Sequence, residues 1–349
     1  MKDQTFVRKS TAISERADER GFSLVELLVS IVIFLIVTAA IFGVMQVAQA
    51  GRSMVNQQVP LNKSVRLSLN LLGRDTYNAG FGYPLESAVV VPDSRLYPLL
   101  GLPPDPDPSR DDVPPIISGN DLHPNNLNPD PGVRTDQVTF LFKDPSFNLV
   151  GDPGREVSMP LRINAATTID GIDEIVPIAG SNSECRVNDL FLVTGNTGST
   201  LSVVTGLSGT DRVQFANGDI LGMNLTGTGG TLTNITTPAS MQRVRMVTYF
   251  VTPNGELTRR DFANRPPPAT PAAFVDEVLV YGVEDFQIEY VMDDGSITPN
   301  PELERLIAVR QVRFTITVRG TEVVADPNEV LRITMTSTFS TRNLGYDAS

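Results

Sequence analysis

An uninterrupted apolar run dominates the start of the chain. Between Phe22 and Val47 the only ionisable side chain is Glu26, and the only strongly polar uncharged one is Gln46. A helix needs about twenty apolar residues to cross the hydrocarbon core of a bilayer. The pattern therefore predicts a transmembrane helix over residues 22–47. A carboxylate inside such a helix costs roughly 2.5 to 3.5 kcal/mol, so it marks a functional group by default.

Beyond this run the hydrophobic positions become periodic, which predicts an amphipathic continuation of the helix over residues 48–79. The apolar residues fall mostly four apart, at Val55, Val59, Leu61, Val65, Leu69 and Leu72. We expect this stripe to pack in the core of a following domain rather than against a partner. Pro60 removes one helical hydrogen bond and predicts a bend.

Prolines concentrate in the next segment. Eleven of them lie between Pro92 and Pro131. That density predicts an exposed, extended loop region over 92–131, with no regular helix or central strand. Two interpretations of these loops stay open: a surface that recognises a partner, or an insertion without a binding role. A second proline-rich excursion follows at 265–274.

Short segments rich in β-branched and aromatic residues follow from Asp136 onward, each bounded by Gly, Pro, Asn or Asp. They predict strands. The stretches are 136–142, 189–195, 201–207, 242–252, 277–283, 285–291, 309–320 and 330–342. The predicted class is therefore α+β, with a long bent N-terminal helix packed on an antiparallel β-rich globular domain over residues 80–349.

The junction before the apolar run carries a specific motif. Residues 1–21 form a polar segment that ends in Gly21, Phe22 follows, and Glu26 is the fifth residue after the junction. The stretch RGFSLVELLVSIVIFLIV resembles the N-terminal signature of type IV prepilins and pseudopilins. The resemblance implies a type IV pilin-like fold and a leader peptide over 1–21. It also implies cleavage between Gly21 and Phe22 by an inner-membrane prepilin peptidase, which N-methylates Phe22.

The rest of the chain is most similar to PilW-type minor pilins, through RLSLNLLGRDTYNAGFGYP, DQVTFLF, NDLFLVTG and EDFQIEYVMDDGSI. The resemblance implies a minor pilin that initiates or primes pilus assembly or lies in a tip complex. The implied partners are the prepilin peptidase, other minor and major pilins and the inner-membrane assembly platform. Two alternatives stay open: a J-type pseudopilin of type II secretion, and a pilus-presented adhesin or ligand-binding module.

The implied location is the bacterial inner membrane, crossed once, with the globular domain in the periplasm and later on the pilus at the cell surface. Cleavage would leave a charged amine on Phe22 in or near the hydrocarbon phase. An opposite charge offsets much of the cost of burying it. We therefore expect Glu26 of one subunit to pair with the Phe22 amine of its neighbour during assembly.

Composition argues against other classes of function. The 349 residues carry a net charge of −12, which disfavours nucleic acid binding. The single cysteine, Cys185, excludes an intramolecular disulfide, although an interchain disulfide is an alternative. The single histidine, His123, is expected in a solvated loop without a nucleophile beside it, and TGTGGT at 226–231 is expected to form a tight turn. We expect no enzymatic activity.

Acidic loops are the remaining candidates for ion binding. Ca²⁺ takes six to eight oxygen ligands, and two acidic groups offer carboxylates, but neither has the spacing of an EF-hand. These groups are Asp105, Asp107, Asp111 and Asp112, and separately Asp293 and Asp294. Solvated loops are the favoured interpretation, with calcium as the alternative, so we expect no cofactor.

Overall fold

The structure is a computed structural model of the 349-residue chain. It describes residues 23–84, 88–104, 109–145, 147, 157–159, 168–170, 185–209, 212–225, 230–236, 239–264, 272–323 and 330–344. The chain divides into two compact units, Met1–Met54 and Val55–Ser349. Helix α1 (Leu24–Asn78) supplies residues to both units. It ends one residue before the predicted end and continues through Pro60, where the bend stays a prediction.

The second unit is rich in strands. These are β1 (Val89–Pro92), β2 (Arg110–Asp112), β3 (Ile116–Pro124), β4 (Arg134–Lys143), β5 (Val157–Met159), β6 (Thr168–Asp170), β7 (Leu190–Gly195), β8 (Gly198–Val203), β9 (Gly206–Ser208), β10 (Arg212–Gln214), β11 (Ala239–Val251), β12 (Glu256–Phe262), β13 (Phe274–Tyr281), β14 (Val283–Met292), β15 (Ile297–Thr298), β16 (Val309–Val323) and β17 (Val330–Ser340). A short helix, α2 (Leu96–Leu100), lies between β1 and β2. The predicted α+β class is confirmed.

The described strands form three sheets. The largest has the order β13-β12-β11-β7-β8-β1-β2, with β4 and β5 also paired to β11 and β3 paired to β4. A small sheet has the order β6-β10-β9, and the C-terminal sheet has the order β15-β14-β16-β17. Pairing is antiparallel except between β1 and β8, which are parallel. The predicted antiparallel β-rich character therefore holds, with one parallel pair among the described strands.

One hydrophobic cluster of the second unit brings α1 together with the C-terminal sheet and part of the large sheet. Along β16 the apolar side chains alternate with polar ones, so Phe314 and Ile316 are fully buried. They share one cluster with Val65, Leu69 and Leu72 of α1. Burying a side chain of this size contributes about 1.5 to 3 kcal/mol. The second half of α1 is therefore held by its apolar stripe, as the sequence predicts.

The predicted stripe begins too early. Val55 and Val59 are 55% and 62% exposed, whereas Val65 is fully buried. The core cluster takes its buried helix residues from Val65 onward, with Leu61 partly buried at its margin. The expectation that Val55 and Val59 are core residues is wrong.

The proline-rich region is more ordered than predicted. It contains α2, β2 and β3, and Leu96, Leu100 and Ile116 are buried. The prolines stand where regular structure tolerates them. Pro98 lies in the first turn of α2, where its missing N–H has no helical acceptor, and Pro92 and Pro124 end their strands. The expectation of an exposed loop without helix or strand across 92–131 is therefore wrong.

Two strand predictions also need correction. The stretch 201–207 divides into β8 and β9, because the Asn224 side chain bonds both backbone groups of Val203, the last residue of β8. Strand β12 was not predicted, since Arg259, Arg260 and Asp261 interrupt its hydrophobic pattern. These charged residues are paired within the fold: Arg259 lies beside Asp75 and Asp261, and Arg260 lies 2.7 Å from Asp276.

Candidate assembly segment

The N-terminal part of α1 is an exposed apolar helix. Residues Leu24–Gln49 are long and apolar enough to cross a membrane by length and composition, with a mean hydropathy of 3.0. Every Leu, Val, Ile, Phe and Met from Leu24 to Val47 is at least 45% exposed. Contiguous apolar surface of this extent marks a site of protein or membrane interaction.

Polar groups inside this helix are satisfied locally. The Ser30 hydroxyl donates to the Glu26 carbonyl at 2.7 Å, and the Thr38 hydroxyl donates to the Phe34 carbonyl at 2.7 Å. An unpaired hydroxyl in an apolar medium costs several kcal/mol, and these bonds to the preceding turn remove that cost. The hydroxyls therefore do not oppose transfer of the helix into an apolar environment.

Glu26 differs from these hydroxyls. It lies in the first turn of α1, is exposed, and its carboxylate has no ion-pair partner among the residues that the structure describes. The first turn exposes N–H groups without helical acceptors, which favours a negative charge there. Gly21 and Phe22 lie outside the described residues, so the geometry of the cleavage junction and of the Phe22 amine stays a prediction.

The last turns of α1 are tied to the large sheet by a buried polar cluster. The Tyr249 hydroxyl donates to Asp75 Oδ2 at 2.6 Å, and Arg259 Nη2 lies 3.1 Å from the same oxygen. Arg259 also lies 3.4 Å from Asp261. Asp75 is 1% exposed and Tyr249 is fully buried. Sequence reasoning missed this cluster because the three residues are far apart in the chain and none carries a motif.

The electrostatics of the cluster favour an ion pair with a neutral tyrosine. Burial raises the pKa of Tyr249, and the Asp75 charge raises it further. Burial alone would lower the pKa of Arg259, but Tyr249, Asp75 and Asp261 together hold it above its usual value. The cluster therefore has a structural role at any physiological pH.

His123 does not lie in a solvated loop, contrary to the sequence prediction. It belongs to β3, its Nε2 lies 2.8 Å from Gln137 Oε1, and its ring lies 5.3 Å from the Phe250 ring. Burial lowers the His123 pKa, the Gln137 hydrogen bond opposes this, and Arg134 and Arg260 lower it further. The register between β3 and β4 shifts after Gly119, and pairing resumes at His123, which lies opposite Thr135. His123 is therefore part of a paired strand.

The acidic candidates that the structure describes are engaged in the fold. Asp111 is buried and accepts hydrogen bonds from the backbone N–H groups of Ser94, Arg95 and Leu96. Asp112 lies 3.2 Å from Arg110. Asp293 and Asp294 lie in a turn beside Arg305. Among the described residues, no group of three or more His, Cys, Asp and Glu side chains is placed to hold a metal ion.

The other sequence candidates fall in two groups. Cys185 is buried, at 2% exposure, so an interchain disulfide would require the chain to open around it. Asp105, Asp107 and residues 226–229 of the predicted TGTGGT turn lie outside the described residues.

Comparison with known proteins is informative at the N-terminus. Residues 16–42 match the family model described as the prokaryotic N-terminal methylation motif. No curated protein sequence matches the chain. Among solved structures, a type IV-like pilin from Thermus thermophilus aligns over 81% of this chain and 98% of its own, with 12% identity and a TM-score of 0.31.

The matched segment contains the predicted junction together with the first part of the exposed helix. It begins before Gly21, includes Phe22 and Glu26, and ends within the apolar run. This motif points to a structural protein of the pilin type rather than to an enzyme. The chain thus carries the N-methylation motif of type IV pilins at the start of a membrane-compatible helix, followed by a β-rich domain.

Proposed function

We propose that the chain is a minor pilin of a type IV pilus, made as a membrane-anchored prepilin. One observation carries the proposal: the methylation motif over residues 16–42 runs directly into an exposed apolar helix with a single carboxylate, Glu26. A secretory signal would place its cleavage site after the apolar run. Here Gly21 precedes that run, so cleavage before Phe22 keeps the helix on the mature protein.

In this proposal the helix serves two environments in turn. The prepilin peptidase removes residues 1–21 and N-methylates Phe22, and the helix Leu24–Gln49 anchors the subunit in the inner membrane. The β-rich domain faces the periplasm. The subunit then leaves the bilayer for the filament, where helices of other pilins replace the lipid around the same apolar surface. Both environments are apolar, which suits a helix exposed on all sides.

In this proposal Glu26 sets the axial position of the subunit relative to its neighbour in the filament. The new amine of Phe22 and the Glu26 carboxylate are both costly in an apolar medium unless they pair. The carboxylate is exposed and unpaired among the described residues of its own chain. Pairing with the amine of the adjacent subunit satisfies both charges and fixes the axial offset between two neighbours.

The size of the β-rich part supports a low-copy role in initiation, priming or the tip complex. Residues 80–349 form a bulky domain for a subunit that must repeat at a short axial rise. The proline-rich segment adds α2, β2 and β3 to that bulk. A type II secretion pseudopilin would use the same anchor and motif for a short periplasmic filament.

A clean in-frame deletion tests the proposal. Surface pili are counted by electron microscopy while secreted proteins are measured from the same cultures, and a plasmid copy of the gene provides the complementation control. The proposal predicts loss of pili with normal secretion. Normal piliation with blocked secretion would assign the chain to a secretion pseudopilus. Pili and secretion both intact would contradict an assembly role and favour the adhesin.

A further inference from the structure

The second half of α1 carries an unbalanced set of charges. Within residues 55–78 the cations are Lys63, Arg66 and Arg74, and all three are exposed. The only acid in this stretch is Asp75, which is buried against Arg259. The chain as a whole has a net charge of −12. This helical segment is therefore locally basic on a strongly acidic protein.

These cations share one face of the helix. With 3.6 residues per turn, six exposed residues fall within an arc of about 80°. We call this face the basic stripe; it consists of Val59, Lys63, Arg66, Asn70, Arg74 and Tyr77. Its spacing of three and four residues is that of a seam along which another element packs. An open groove follows its N-terminal part, lined by Val59, Lys63, Arg66 and Asn70 among others.

The protein itself leaves this stripe largely unsatisfied. Lys63 and Arg66 form no ion pair with any residue that the structure describes, whereas Arg74 lies 3.0 Å from Asp75. Val59 and Tyr77 are 62% and 46% exposed, although each is large enough to contribute to a core. Arg342 lies over the Tyr77 ring and donates to its hydroxyl at 2.6 Å. The N-terminal part of the stripe therefore combines two cations that have no described counter-charge with the exposed side chain of Val59.

This inference rests on the proposed function. We propose that the basic stripe docks against acidic side chains on the globular domain of a neighbouring pilin subunit. Charge complementarity favours this partner, because a stripe of cations repels basic surfaces and orients acidic ones. Exposed Val59 and Tyr77 supply apolar contact at its two ends. The stripe covers a rise of about 27 Å along α1, long enough to set the angle of the incoming domain.

Lys63 makes this contact directly measurable. The chain has four lysines, Lys2, Lys9, Lys63 and Lys143. The first two belong to the leader, and Lys143 is buried. A water-soluble carbodiimide activates a carboxylate, and attack by a lysine amine then forms an amide as the urea by-product leaves. In assembled filaments containing the full chain, the reagent should join Lys63 to an Asp or Glu of another subunit, which mass spectrometry identifies.

Matched variants separate charge from side-chain identity. K63R keeps both charges of the stripe and removes its reactive amine, so filaments should retain the protein while the cross-link is lost. K63E/R66E should lower recovery of the processed protein in sheared filaments by about tenfold or more, since like charges then face each other. Protease resistance of the membrane-extracted protein confirms that both variants fold.

The outcomes distinguish this inference from the proposed function. Absence of the wild-type protein from sheared filaments would contradict the proposed function itself. Presence of wild type with equal recovery of K63E/R66E, or with no Lys63 cross-link to another subunit, would overturn the docking inference alone. Protection of Lys63 from an amine reagent by vesicles with phosphatidylglycerol, but not by pure phosphatidylcholine vesicles, would overturn it in favour of a lipid surface.

Discussion

The hydroxyl of Tyr249 donates a 2.6 Å hydrogen bond to the carboxylate of Asp75, which lies 174 positions earlier in the chain. The bond joins the last turn of α1 to the C-terminal part of β11 in the large sheet. Arg259 of β12 completes the contact from the neighbouring strand. The α1 end is therefore fixed by a polar anchor as well as by its apolar stripe.

Loss of this anchor should destabilise the fold strongly. Asp75→Ala leaves Arg259 buried without its closest carboxylate, with the Tyr249 hydroxyl at 3.1 Å and Asp261 at 3.4 Å as its remaining partners, and breaking a buried pair costs about 3 to 5 kcal/mol. Tyr249→Phe removes the hydrogen bond donated to Asp75 and the one accepted from Arg259 Nε, and a single hydrogen bond to a charged group is worth about 1.5 to 3 kcal/mol. Denaturant unfolding of the detergent-solubilised full chain measures both losses.

Arg74 provides the matched control for this anchor. It contacts the same carboxylate as Arg259 but its side chain is 57% exposed. Exposed pairs contribute about 0 to 1 kcal/mol, so Arg74→Ala should change the free energy of unfolding by less than either anchor variant. If Arg74→Ala lowered the free energy of unfolding as much as Asp75→Ala does, burial would not be what sets the strength of this ion pair.

Gly73 should reject a side chain despite its helical position. A Cβ at this site would overlap the ring of Phe339, which packs on α1 from β17. Replacing an exposed helical glycine with alanine gains about 1 kcal/mol, but overpacking costs about 1 to 3 kcal/mol. We expect Gly73→Ala to lower the melting temperature, and the added change Phe339→Leu to restore part of it.

Gly51 in the same helix supplies the comparison. A Cβ there meets no atom within 4 Å. Gly51→Ala should therefore leave the melting temperature unchanged or raise it. If Gly73→Ala and Gly51→Ala had equal effects, close packing of Phe339 on the helix would be wrong.

Asp136 should make the fold more stable in mild acid. It is 1% exposed and accepts hydrogen bonds from the backbone N–H groups of Asp121 and Ile288, at 2.9 and 2.7 Å. Burial raises its pKa from 3.8 to about 6, with Asp121 and Asp285 adding to the rise and the two hydrogen bonds opposing it.

The direction of this pH effect follows from proton binding at Asp136 in the folded and in the unfolded protein. Between pH 6 and 4 the folded protein binds a proton at Asp136 that the unfolded chain does not bind, so acidification favours folding. From pH 7 to 4 this group should add about 2 to 3 kcal/mol to the free energy of unfolding. Unfolding curves of wild type and Asp136→Asn, compared at each pH, isolate it from other carboxylates. A pH-independent difference between them would refute the assignment.

Glu26 should matter for assembly and not for the fold of the β-rich domain. Removal of its charge takes an ionised group out of an apolar helix, so membrane insertion of Glu26→Ala should be retained or improved. Its recovery in sheared filaments should fall, because the Phe22 amine of a neighbour loses its partner. Immunoblots of membrane and filament fractions measure both. Equal filament recovery for Glu26→Ala and wild type would contradict the pairing.

Features set by local periodicity could be predicted from the sequence. The end of α1 near Asn78 and strands β4, β7, β11, β14, β16 and β17 follow patterns of period 3.6 or 2 that short windows contain. The methylation motif is also local, which is why Gly21, Phe22 and Glu26 could be named from residues alone. The junction itself lies outside the described residues and stays a prediction.

Features set by distant partners could not be predicted. Pro98 and Pro124 suggest a loop until their positions in the first turn of α2 and at the end of β3 are known. Arg259 and Asp261 make β12 look like a surface segment, because their partners Asp75 and Arg245 lie on other elements. His123 was misplaced for the same reason: Gln137 and Phe250, which enclose it, come from other strands.

The mass and N-terminal sequence of the protein purified from its native membranes test the central claim most directly. The account predicts a chain that begins at Phe22, lacks residues 1–21 and carries one added methyl group on its amine. A Gly21 substitution by a bulky residue should leave the leader attached. A mature chain that begins at Met1, or one cleaved beyond Gln49 so that the apolar helix is lost, would contradict the account.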